Sequence, residues 1–513
     1  MKIKNASLWS VLIFIVIYMS GKWAVTKYGF DTDLLWHLKI GEDIVATKSI
    51  FINNAYTWLQ NTVWTQQEWL FDIMLYGIVS IGGIVGFYLI HLSSQFLYIK
   101  LSIKSNKYHF DLLALVVFLT MYMFLPFNQA NRPAEYSTYL VVLMIWLYDK
   151  SFRTKPVVYF GIGVFIANFH CGAAVALLTI MGFIFAIDLV LNFAFNRMNH
   201  IPFTLTRRFI FQYIISCMLF IAGLCINPYG IKQVKNMFSV MNLNSTQYIN
   251  EWKPFVTHSY LVWIMIIAIA ISFGYALYKH KWEKDTTIHI ALMSAFLVLS
   301  LTSIKGFVMF YYMFMMYGYK YFDEMIYDFL KRMNLSREFN FKKLHFSFPE
   351  KLPHKKMIYS FLFIVCLMFG TSVAVFNQKS MDNLVSLNET QYITDDTISE
   401  LQTIAENKEG TFNILNGYVT GNYLLYHDIP VFIDARQMPY SKEFGWSTAV
   451  DDYFDTNYND YEAMDKFFDK YNFNYVICNG EYNINNYMQR VSNSWYLKYS
   501  DTDSGIYIWE RVY

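Results

Sequence analysis

The sequence predicts a polytopic α-helical membrane protein of about 11 spans, followed by a C-terminal extracytoplasmic α/β domain. Three observations predict it. The 513 residues are 55% hydrophobic and only 16% charged, whereas soluble chains average about a quarter charged. Apolar runs of bilayer-spanning length recur along the first 378 residues, each near the roughly 20 residues that a helix needs to cross hydrocarbon. The charge is also split: from Lys379 onward there are 21 Asp/Glu against 9 Lys/Arg, a net of −12, leaving about +14 before it. Basic loops between spans and an acidic folded tail explain that asymmetry.

The spans are expected to start near Leu8, Val85, Leu112, Ala134, Val157, Ala173, Phe209, Tyr260, Ile288, Phe307 and Met357. Met1-Lys-Ile-Lys with the first apolar run resembles a signal peptide, but no small-residue cleavage site follows, so the run is read as a retained helix. Positive charge belongs in cytoplasmic loops. With the N-terminus cytoplasmic, Lys100–Lys107, Lys150–Lys155, Arg197–Arg208, Lys279–Lys284 and Lys331–Lys356 all fall inside. The last of these lies within a basic cytoplasmic loop, 323–356. Asp31–Gln67, Asn128–Arg132, Asn168–His170, Asn227–Tyr260 and Ser303–Gly306 then fall outside, with the tail. This alternation requires Glu68–Ser80 to make no extra crossing, and an amphipathic helix at the outer interface meets that need. The first outer loop and its interfacial helices thus occupy 31–82, within a transmembrane domain of residues 1–378.

The tail, residues 379–513, reads as alternating strands and helices. Strands are expected at Thr411–Asn416, Pro430–Asp434, Asn474–Cys478, Tyr496–Tyr499 and Gly505–Glu510, with helices at Gly417–His427, Tyr461–Tyr471 and Glu481–Val491. The five cysteines show no metal-ligand spacing and read as small buried apolar residues. Nothing in the chain points to nucleic acid.

Polar chemistry gathers at the outer boundary. Asp31 and Asp33 follow the first span, with His37 and Lys39 just beyond, and charges set against hydrocarbon point to function. Arg132 and Lys305 sit at span ends, placed either to anchor helices to headgroups or to bind a lipid phosphate. His170 lies in another outer loop. A carboxylate facing phosphate-binding cations suits transfer of a sugar from a lipid phosphate: the acid takes the acceptor's proton and the cations stabilise the leaving group. Alternatively, Asp31 and Asp33 together hold a divalent cation, Mg or Mn, since hard cations prefer carboxylate oxygens. Glu68 is either a helix-start acid or an acceptor-side group. Asp434 and Arg436 in the tail either bind acceptor or form an internal ion pair.

Asp31-Thr-Asp-Leu-Leu-Trp-His-Leu-Lys-Ile-Gly, Trp64-Thr-Gln-Gln-Glu-Trp-Leu, Asn131-Arg-Pro, Asn168-Phe-His-Cys-Gly and Ile226-Asn-Pro-Tyr-Gly together resemble a bacterial branch of the GT-C integral-membrane glycosyltransferases. That superfamily includes oligosaccharyltransferases, protein mannosyltransferases and aminoarabinose transferases. In the tail, Gly421-Asn-Tyr-Leu-Leu and Val431-Phe-Ile-Asp-Ala-Arg436 resemble the extracytoplasmic domain of the same branch. The resemblance implies an inverting transfer from a polyprenyl-phosphate-linked sugar to an extracytoplasmic glycan, lipid or protein, in a bacterial plasma membrane. It implies Asp33 as catalytic base and Asp31 as a second acid. Two other classes stay open: a transporter or flippase of lipid-linked glycans, and a non-catalytic envelope-assembly protein. A transporter is expected to carry polar or broken helices at mid-membrane depth; here the polar residues cluster at the outer edge instead.

Overall fold

The computed structural model describes residues 32–51, 56–60, 62, 64–106, 108–109, 132–149, 155–197, 206–240, 260–332, 393–406, 412–444, 447–479, 483–502 and 504–512, with isolated positions from 113 to 121. Asp31, the expected spans near Leu8 and Met357, most of that near Leu112, and the basic loop beyond Arg332 lie outside the described residues.

The helical part comprises α1 (Asp33–Thr47), α2 (Trp69–Asn106), α3 (Pro133–Asp149), α4 (Pro156–Phe169), α5 (Ala173–Arg197), α6 (Arg207–Leu224), α7 (Ile231–Val240), α8 (Tyr260–Lys279), α9 (Lys284–Thr302), α10 (Ile304–Met313) and α11 (Tyr319–Arg332). Among the described residues, two stretches are long and apolar enough to cross a bilayer, Ala173–Phe193 and Arg207–Leu224. Large apolar side chains point outward from these and neighbouring helices, including Val157, Val190, Phe193, Phe211, Met218 and Ile264. A soluble monomer rarely exposes such a band, so this surface belongs against lipid.

Local chemistry sets the helix boundaries. Pro156 opens α4, where its missing N–H costs nothing. Thr206 caps α6 by accepting from the Phe209 N–H at 3.1 Å. Ser303 breaks the run between α9 and α10 with an extended backbone, and its hydroxyl caps α10 through the Gly306 N–H. A π-helical turn, Phe314–Gly318, joins α10 to α11. Such a turn frees carbonyls, and α2 supplies donors: Asn106 Nδ2 bonds the Met316 carbonyl at 2.8 Å, and Ser102 bonds that of Met315.

α2 begins in the stretch expected to lie at the interface and runs on through a kink at Gly83, whose φ of 57° is non-helical. The kink separates Trp69–Gly82 from the apolar helix beyond, so one element holds both the interfacial stretch and the span expected from Val85. The region after Asn227, expected as loop, contains the amphipathic α7.

The tail contributes α12 (Asp395–Glu406), β1 (Ile414–Leu415), α13 (Thr420–Tyr426), α14 (Ala449–Asp455), α15 (Tyr461–Tyr471), β2 (Tyr475–Asn479), α16 (Asn483–Arg490), β3 (Trp495–Asp501) and β4 (Ile506–Arg511). Its sheet has the order β1-β2-β4-β3, with β1 parallel to β2 and the other pairs antiparallel. One expected strand is corrected. Pro430–Asp434 does not join this sheet; Val431 instead pairs with Thr57 of the first loop, its N–H bonding the Tyr56 carbonyl at 3.0 Å. The apolar core of the tail correspondingly includes Leu35, Trp36, Ile40 and Ile44 of α1 and Tyr56 and Trp64 of the loop.

Candidate active site

α1 organises the site. Asp33 and His37 are one helical turn apart and therefore share a face. Asp33 is the first residue of α1, and its Oδ2 lies 3.1 Å from Arg132 Nη2, just ahead of α3. Neither is sealed off: the side chains are 22% and 16% exposed. The other oxygen, Oδ1, accepts from Asn422 Nδ2 at 3.2 Å. Both oxygens of Asp33 thus face donors.

One turn on, His37 is buried and stacked on Trp36. Its Nδ1 lies 2.5 Å from Asp72 Oδ1 on α2. Burial pushes the imidazole well below its usual range, with His170 adding to the effect. Burial likewise pushes the Asp72 carboxyl well above its usual range, with Glu68 adding to that. Both directions favour a neutral pair sharing one proton, with the Asp72 hydroxyl donating to His37 Nδ1. Gln66 donates to the remaining Asp72 oxygen. The close crossing that brings α1 and α2 together depends on Gly41: a Cβ there would stand 2.2 Å from the Asp72 carbonyl oxygen.

Glu68 lies between two imidazoles, 3.7 Å from His37 Nε2 and 3.4 Å from His170 Nε2. His170 is held from behind by Ser137 of α3 at 2.8 Å. The hydroxyl of Ser137 is committed to the Pro133 carbonyl at 2.8 Å, so the His170 Nδ1–H donates to Ser137 Oγ. Trp69 Nε1 donates to Asn168 Oδ1 at 2.9 Å, and the Tyr229 hydroxyl accepts from the Gln66 N–H at 3.1 Å. Segments around Asp33, Arg132, His170 and Tyr229, far apart in the chain, therefore meet at one end of the bundle.

The other residues singled out from sequence fall elsewhere. Lys39 reaches Asp428, just past α13, at 2.9 Å and Asp43 at 3.4 Å. Burial opposes its charge, but Asp428, Asp43 and Glu42 outweigh that and hold the ammonium above its usual range. Lys305 is the second residue of α10, and its side chain lies outside the described residues. Asp434 and Arg436 form an internal ion pair with two-pronged geometry, 2.6 and 2.9 Å, at 0% and 8% exposure. The guanidinium lies over the Trp64 ring, 4.9 Å from its centroid. The pair is therefore enclosed by the first loop, which is the internal alternative of the two readings.

Among the described residues, no group of three or more His, Cys, Asp or Glu side chains could hold a metal ion. Arg132 and Asn422 already occupy the two oxygens of Asp33, and a guanidinium repels a dication. The described residues do not fit a metal. Sequence reasoning did not single out Asp72 or Asn422. A lone acid in an apolar helix was the available signal for the first; membership of the Gly421-Asn-Tyr motif was that for the second.

No protein-family model and no curated protein matches this chain. Among solved structures it is similar to the Archaeoglobus fulgidus oligosaccharyltransferase. The apo form of that enzyme aligns with a TM-score of 0.51 at 12% identity, over 94% of this chain and 70% of that one. The form tethered through a disulfide bond to an acceptor peptide containing the NVT sequon gives 0.52 at 13% identity, over 98% and 74%. This chain has the fold of an oligosaccharyltransferase. The alignment covers 98% of this chain, so the shared fold takes in both the helical part and the tail rather than a common bundle alone.

Proposed function

We propose that this protein is a GT-C glycosyltransferase of a bacterial plasma membrane that moves a sugar from a polyprenyl-phosphate-linked donor to an extracytoplasmic glycan, lipid or protein. The observation that carries the reading is the Asp33–Arg132 pair at 3.1 Å, partly accessible at the bundle end of an oligosaccharyltransferase-like fold. In the resting site each neutralises the other. An incoming lipid phosphate competes for Arg132, since guanidinium binds phosphate in the same two-pronged way as carboxylate. That frees Asp33 Oδ2 to take a proton.

The acceptor O–H or N–H then attacks the anomeric carbon from the face opposite the phosphate. Its proton passes to Asp33. The bond from the anomeric carbon to the phosphate oxygen breaks, and its electron pair leaves on the phosphate, stabilised by Arg132 and, in this reading, Lys305. The sugar is delivered with inverted configuration. Glu68, between His37 and His170, lines the acceptor side, and Asp31, two residues before the base in sequence, is the second acid of this reading.

Asp33→Asn tests the reading, because it keeps size and hydrogen bonding but cannot accept the proton. Cells producing this variant, in a strain lacking the wild-type chain, are expected to accumulate loaded lipid carrier while the acceptor stays unmodified. Lipid-linked sugars and surface glycans identical to those of wild type, at equal protein levels, would falsify it.

A further inference from the structure

We infer that the tail completes the active site, and that Asn422 is the positioning residue through which it does so; this rests on the reading of Asp33 as the base. Asn422 belongs to α13 and is fully buried. Its amide orientation is decided by a backbone group: the Ala435 N–H can only donate, and it meets Asn422 Oδ1 at 3.1 Å. The amide nitrogen must therefore face the other way, where it lies 3.2 Å from Asp33 Oδ1 and 3.4 Å from Thr32 Oγ1.

Ala435 is itself immobilised. It stands between Asp434 and Arg436, the buried ion pair, and the Tyr440 hydroxyl binds Asp434 Oδ2 at 2.6 Å. The rigid turn holds Ala435, Ala435 holds Asn422, and Asn422 holds one oxygen of Asp33 while leaving the other toward Arg132. A second link aligns the same two helices. Lys39 and Asp428 join at 2.9 Å, six residues beyond Asp33 and Asn422 respectively, so α1 and α13 lie side by side and run the same way. A base at the first turn of a helix needs such a clamp to hold a productive angle.

The test uses the full chain in membranes from the producing cells. The donor is the lipid-linked sugar fraction extracted from a strain lacking the protein. Initial transfer rates are measured across pH and normalised to folded protein. Asn422→Asp keeps the Ala435 contact but sets a carboxylate against Asp33, which Arg132 faces from the other side. The expected result is a rate loss on the order of 10²-fold, with the acid limb of the profile moved up by about one pH unit. The sign follows because a donor favours the charged base, and its replacement by an acid favours the protonated one. Asn422→Ala adds no charge; it is expected to move the limb the same way by less, and it serves where Asn422→Asp does not accumulate. A profile scaled in height but unmoved, in either variant, overturns the inference and leaves Asn422 a packing residue. Full activity of Asp33→Asn in the same assay instead removes the underlying reading.

Discussion

At the scale of single residues, the His37–Asp72 pair makes a prediction with a definite sign. Unfolded, the two groups titrate near about 6.5 and 3.9. Folded, burial lowers the His37 value and raises that of Asp72, directions that favour a neutral imidazole beside a protonated carboxyl. Between those two values the folded and unfolded pairs each carry one proton, so stability is flat. Above about pH 6.5 the folded pair keeps a proton that the unfolded pair has lost, so stability declines as pH rises toward the elevated Asp72 value. Asp72→Asn stays neutral at every pH and removes that alkaline decline. Thermal unfolding in detergent from pH 6 to 9 checks it: the wild-type midpoint is expected to fall relative to the variant's as pH rises, and parallel curves would show that Asp72 is already ionised. Asp33 and Arg132 were legible from sequence because a charge at the end of an apolar run has few structural uses. Asp72 was not, since one acid inside Phe71-Asp-Ile reads as an interruption. Its partner His37 is 35 residues away, and only the crossing of two helices joins them.

At the scale of elements, the site depends on how closely α1 and α2 approach. A methyl group at Gly41 would stand 2.2 Å from the Asp72 carbonyl oxygen, and the obstructing atom is backbone, which cannot swing aside. Gly41→Ala is therefore expected to cost about 1–3 kcal/mol and to part His37 from Asp72. A lowered unfolding midpoint, together with loss of the alkaline slope described above, would show both effects; an unchanged midpoint would mean that the helices are free to separate. Long helices were readable from sequence because burial against lipid makes their apolar runs continuous. The short α7 was not, because Ile231, Val234 and Met237 cover one stripe only and Asn227-Pro228 before them signals a loop. The run Pro430–Asp434 was read as a strand for its apolar content. Its extended pairing goes to Thr57 because the partner of a buried run is set by tertiary contact, which no local pattern encodes.

At the scale of the molecule, the first loop and the tail are one folded body. Trp58 shows how. Its ring stacks on Phe432 with centroids 5.8 Å apart, and its indole N–H bonds the Ile414 carbonyl at 3.0 Å, at the start of the tail's sheet. Alongside, the Val431 N–H donates to the Tyr56 carbonyl and the Val431 carbonyl accepts from the Trp58 N–H. The charge asymmetry of the sequence suggested a separate acidic unit, but charge reports solubility and not where apolar surface is buried. A shared core has a testable consequence. Trp58→Ala removes a large contact from the junction, at a cost of up to about 3 kcal/mol. Trp58→Phe keeps the stacking and loses one hydrogen bond, at about 1 kcal/mol. If the core is shared, Trp58→Ala opens the tail to protease along with the loop, in a single transition, and Trp58→Phe does so less. Were the tail an independent domain, its core would resist cleavage unchanged in both variants. The same loosening lets α13 shift against α1, so sugar transfer is expected to fall in the order Trp58→Phe, then Trp58→Ala. Equal activity in both, with the tail demonstrably loosened, would mean that Asp33 keeps its angle without the tail's support.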